Sequence, residues 1–75
     1  MNTKFEALDE ARRNLEAAKA AVEESFDNYK LMRAVGDVEM RKGARCAFIN
    51  RNIGMLDAME AVTDAEIDLG RPDGE

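Results

Sequence analysis

Between Phe5 and Val35 the chain carries no glycine or proline, and its apolar positions recur at helical spacing. Leu8, Leu15, Val22 and Tyr29 stand seven residues apart, and beside them Ala11, Ala18, Ser25 and Met32 form a smaller line with the same period. A large line next to a small one describes the stripe of a helix packed closely on a neighbour. Phe5 and Phe26 widen the stripe, while Arg12, Arg13, Glu16, Lys19, Glu23 and Asp27 fall on the other sides. Thr3-Lys-Phe-Glu6 has the form of a capping box, so a first helix is expected over about 3–35.

Gly36 and Asp37 then supply a stop and a start in succession. Glycine can take the left-handed conformation that ends a helix, and Asp37 has a short acceptor suited to capping the next one. A turn at 36–37 folds the chain back on itself. The second helix, about 38–69, carries a broader apolar face. Phe48, Met55, Val62 and Leu69 make one seven-residue line, and Ile49, Ile53, Leu56 and Met59 make another on an adjoining angle. Such a width implies more than one neighbouring helix. Gly43, Ala47, Gly54, Ala58, Ala61 and Ala65 form a small line that suggests close backbone approach, because each helical glycine costs about 1 kcal/mol relative to alanine. A break at Gly43 is the competing reading of that glycine. Gly70 and Pro72 end the helix and leave a tail, 70–75, expected to be disordered.

The fold class expected is all-α: an antiparallel helical hairpin that dimerises into a four-helix bundle. Seventy-five residues bury little surface alone, and 12 of the apolar residues are alanines, so a homodimer supplies the missing burial. The dimer core expected from the lines above is Leu8, Leu15, Val22, Phe26, Phe48, Ile49, Ile53, Met55, Leu56, Met59 and Val62.

Charge adds an axis to this rod. Residues 1–27 carry −3, residues 28–52 carry +4 and residues 53–75 carry −6, for a net charge of −5. Folding at Gly36 gathers Lys30, Arg33, Arg41, Lys42 and Arg45 at the turn end and the acid at the other, so two rods are expected to pair head to tail. Asp64, Glu66 and Asp68 lie where the dipole of the second helix disfavours acid. Asp57, Glu60, Asp64 and Asp68, at near-helical spacing, are the candidate partner-binding stripe; the competing reading is a solvated face that meets the basic turn of the paired subunit.

The chemistry is sparse. With no histidine, nothing activates Cys46 or a hydroxyl, and the Glu-x-x-His ligand set of bundle metal sites is absent; no catalytic residue, metal or cofactor is expected. Cys46 shares a side with Ile49, Ile53 and Leu56 and is expected to be buried and inert; one cysteine forms no intrachain disulfide and suits a reducing compartment. No apolar run approaches a signal peptide or a membrane span, and a cytoplasmic location with no membrane partner is the simplest expectation.

The leading reading is therefore a non-catalytic protein–protein interaction module, a small dimeric regulator, adaptor or inhibitor of the accessory type found in phages and plasmids. Its protein partner is unidentified. The basic turn and the nearby Phe26, Tyr29 and Phe48 allow an RNA-binding alternative, and in outline the chain resembles the plasmid repressor-of-primer family, an architectural likeness carried by no shared motif. Asp37 and Glu39 within the patch, and the negative net charge, count against nucleic acid. A third reading is an acidic DNA mimic that blocks a nucleic-acid-binding protein.

Overall fold

The computed structural model describes residues 3–70 as two long helices, α1 (Thr3–Val35) and α2 (Val38–Leu69), packed antiparallel. The expected hairpin and its turn are both present. α1 opens on Thr3 itself, one residue earlier than a Thr3 cap requires; residues 1 and 2 lie outside the described residues. The tail beyond residue 70 also lies outside them.

The turn works by a different device at each of its two residues. Asp37 caps α2: its backbone is extended and its carboxylate accepts the Met40 N–H at 2.9 Å. Gly36, however, is not in the left-handed region. Its N–H donates to the Met32 carbonyl at 2.9 Å, and a Cβ there would lie 2.8 Å from that same oxygen. Close approach, rather than a positive φ, is what requires glycine.

The seam follows the seven-residue lines. From α1 it takes Leu8, Ala11, Leu15, Ala18, Val22, Ser25, Tyr29 and Met32, and from α2 Ala44, Phe48, Met55, Ala58, Val62, Ala65 and Leu69, all buried or half-buried. Ser25 in the seam and the half-buried Asn52 beside it are satisfied within their own helices: the Ser25 hydroxyl donates to the Val22 carbonyl at 2.9 Å, and Asn52 Nδ2 to the Phe48 carbonyl at 2.8 Å. Phe48 closes the turn end by stacking on Phe26 at 5.1 Å and on Tyr29 at 6.1 Å between ring centroids.

Three sequence expectations change in three dimensions. Gly43 does not interrupt α2, and a Cβ at Gly43 or Gly54 would meet nothing within 4 Å. The small residues buried within the hairpin are instead Ala11 and Ala44. Cys46 is exposed, because the side it shares with Ile49 and Ile53 is turned away from α1.

The result is a thin rod of 57 × 18 × 11 Å. Its radius of gyration is 17.1 Å, against about 11 Å for a compact chain of this length. Two helices have one seam between them, and no large side chain is wholly enclosed among the described residues.

Candidate interaction surface

Each side of α2 has a distinct fate. The line through Phe48, Met55, Val62 and Leu69 turns inward, and the line through Ile49, Ile53, Leu56 and Met59 is left in water, each residue 46–56% exposed. One residue of helix rotation, about 100°, separates Phe48 from Ile49, too much for a single neighbouring helix to cover both. The expected dimer core is thereby divided. Leu8, Leu15, Val22, Phe48, Met55 and Val62 line the seam inside the hairpin; Phe26 borders it, stacked on Phe48 yet partly exposed, and Ile49, Ile53, Leu56 and Met59 lie outside it.

Cys46 stands at the head of the outer line, on the side expected of it, and Ile67, which is 51% exposed and was not expected there, continues the line toward the end of α2. Cys46, Ile49, Ile53, Leu56, Glu60, Thr63 and Ile67 alternate in steps of three and four, a second heptad stripe beside the first. That alternation was the signal available in the sequence.

Basic groups collect at one end of this face. Tyr29, Arg33, Val38, Arg41, Lys42 and Arg45 line a shallow open groove beside the turn. Four of the five expected basic residues meet there. Lys30 is drawn elsewhere, 3.4 Å from Asp27 Oδ1 and 4.7 Å from the centre of the Phe26 ring. The Arg33 guanidinium lies 5.9 Å from the centre of the Tyr29 ring, and Arg41 Nε donates to the Asp37 carbonyl at 3.5 Å. None of the four has a carboxylate within 4.0 Å among the described residues.

Acid collects at the other end. Glu60 and Asp64 line a second open groove with Leu56, Met59 and Thr63, while Asp64 and Asp68 flank a third with Ala65 and Ile67. Asp57 borders none of these grooves. The last turn of α2 has no basic residue to offset this acid. The ion pairs seen among the described residues are local, Lys19–Glu16 at 3.5 Å and Lys30–Asp27, both well exposed and worth at most a few tenths of a kcal/mol each.

No three Cys, Asp or Glu side chains converge on a common point among the described residues, and no helix there is long and apolar enough to cross a membrane. What the arrangement offers is an apolar row of about 15 Å from Ile49 to Met59, at 1.5 Å per residue, with cations before it and, past it, carboxylates interleaved with Thr63 and Ile67. Compared with protein-family models, curated proteins and solved structures, the chain matches none.

Proposed function

We propose that this chain is a non-catalytic protein–protein interaction module, a small regulator, adaptor or inhibitor that works through the outer face of α2. The observation that supports this most is the row Ile49, Ile53, Leu56 and Met59, each about half exposed. Fully burying a side chain of this size is worth roughly 1.5–3 kcal/mol, and a contiguous apolar patch of this kind marks a surface that is covered in use. The row itself is apolar, acid lies beside and beyond its far half, and there is no imidazole anywhere in the chain. Asp57, Glu60, Asp64 and Asp68 then give the surface its preference for a basic partner.

The test compares proteins retained from lysate by three immobilised chains: wild type, Ile53→Ser with Leu56→Ser, and a variant with Asp57, Glu60, Asp64 and Asp68 all changed to lysine. Proteins held by wild type and lost from the first variant support the reading, and loss from the second assigns the acidic stripe to the contact. Identical profiles from all three would sink it. If the chain is a DNA mimic, the retained proteins bind nucleic acid and duplex DNA displaces them.

One observation favours a second reading, an RNA-binding module: Arg33, Arg41, Lys42 and Arg45 share a groove without carboxylate partners. Against it, Phe26, Tyr29 and Phe48 are engaged with one another instead of standing free for bases. Anisotropy with labelled RNA and DNA decides the matter, because phosphate contacts strengthen steeply as salt falls. No binding at low salt removes this reading.

A further inference from the structure

We infer that the outer face of α2 is closed by the same face of a second copy, laid antiparallel about a two-fold axis near Ile53. The inference rests on the interaction-module reading and names the first partner of that surface.

The stripe is self-complementary in both shape and charge. Its apolar centre, Ile49, Ile53 and Leu56, is nearly symmetric about Ile53. Its flanks have opposite sign: Arg45 lies eight residues before Ile53 and Glu60 seven after, while Lys42 and Asp64 each lie eleven away. A two-fold rotation at Ile53 therefore carries the basic end of each copy to the acidic end of the other. A parallel arrangement would set cation beside cation and carboxylate beside carboxylate. None of these four groups has an ion-pair partner in its own chain among the described residues.

The amount of surface agrees with this occupant. The whole chain exposes 5711 Å², whereas a compact protein of 8.4 kDa exposes roughly 4,600 Å². A standard stable interface takes roughly 800 Å² from each partner, and a thin rod with one side of α2 uncovered has surface to give. The contact is isologous, so it closes as a dimer and does not propagate into fibres.

Sedimentation equilibrium of the full chain tests the assembly, with a mass near twice 8.4 kDa expected at micromolar concentration. Monomer mass at all concentrations overturns the inference, while the interaction-module reading remains open to the capture experiment above. Ile53→Asp, exposed in the hairpin, should weaken pairing on the order of a hundredfold.

Charge reversal separates orientation from folding. Lys42→Glu with Arg45→Glu, or Glu60→Lys with Asp64→Lys, should each weaken the dimer about tenfold or more, and the quadruple variant should recover it. Failure of the quadruple variant to recover overturns the antiparallel register. Cys46 provides a third check: antiparallel pairing separates the two thiols by about 20 Å, far beyond disulfide reach. Ready Cys46–Cys46 cross-linking of the wild-type dimer under mild oxidation would overturn the arrangement.

Discussion

Alanine at Gly36 adds one methyl group at the point where the chain reverses, and the sign of its effect follows from two opposing terms. Removing glycine's freedom from the unfolded chain favours the variant by about 0.4–1 kcal/mol wherever the new side chain fits. Here the Cβ would lie 2.8 Å from the Met32 carbonyl oxygen, 3.3 Å from the Met32 Cα and 3.2 Å from the Met40 Cβ. Two of these three are backbone atoms. The oxygen also accepts the Gly36 N–H at 2.9 Å, so moving it away disturbs the bond that terminates α1. Overpacking of this kind costs typically 1–3 kcal/mol. The net expectation for Gly36→Ala is a loss of about 1–2 kcal/mol, or a melting temperature lower by roughly 5–12 °C for a chain of this size.

Gly43→Ala and Gly54→Ala are the internal controls. Both sites are helical with nothing within 4 Å of the added carbon, so each variant should gain about 0.5–1 kcal/mol from helix propensity. The assay is thermal and urea unfolding followed by circular dichroism, all variants at one protein concentration, because association would shift every midpoint by mass action. If Gly36→Ala proves as stabilising as Gly43→Ala, the steric account of the turn is wrong.

Other variants probe other links. Phe48→Ala removes the ring on which both Phe26 and Tyr29 stack and should cost about 3 kcal/mol, read as a loss of urea midpoint at unchanged slope. Asp37→Ala deletes the cap bond to Met40 and should cost about 1 kcal/mol, with Asp37→Asn largely retaining stability in the same melt. Glu66→Lys with Asp68→Lys puts cations in the last turn of α2, where none now stands; at high dilution and low salt it should gain about 0.3–1 kcal/mol per site in thermal melts. A double-mutant cycle on Lys19 and Glu16 should give a coupling below about 0.5 kcal/mol, shrinking further in salt, since both groups are well exposed.

Residues that act on their own helix were legible in the sequence. Leu8, Leu15, Val22 and Tyr29 announce their common side by spacing alone, because 3.6 residues per turn is a local property of the backbone. Asp37 is equally local: its carboxylate reaches an N–H three residues on, so the cap could be read without knowing what α2 packs against. Gly36 was legible as a stop but not in its mechanism, since the atoms it avoids come together only in the folded turn.

Cys46 and the two α2 glycines show where sequence reading ends. A helical wheel gave Phe48 and Ile49 equal standing as core, and both lines through them are apolar over more than twenty and ten residues respectively. Which line faces α1 depends on the rotation of α2 about its own axis, set by the geometry of the turn and by Phe48 seating against Phe26 and Tyr29. That rotation consigns Cys46, Ile49, Ile53 and Leu56 to solvent and leaves Gly43 and Gly54 open. The sequence by itself determined two helices, their turn and the segregation of charge along them, because each follows from short-range periodicity and capping. Only the tertiary structure decided which apolar line is spent within the chain and which stays uncovered, because one neighbouring helix covers only one side of α2.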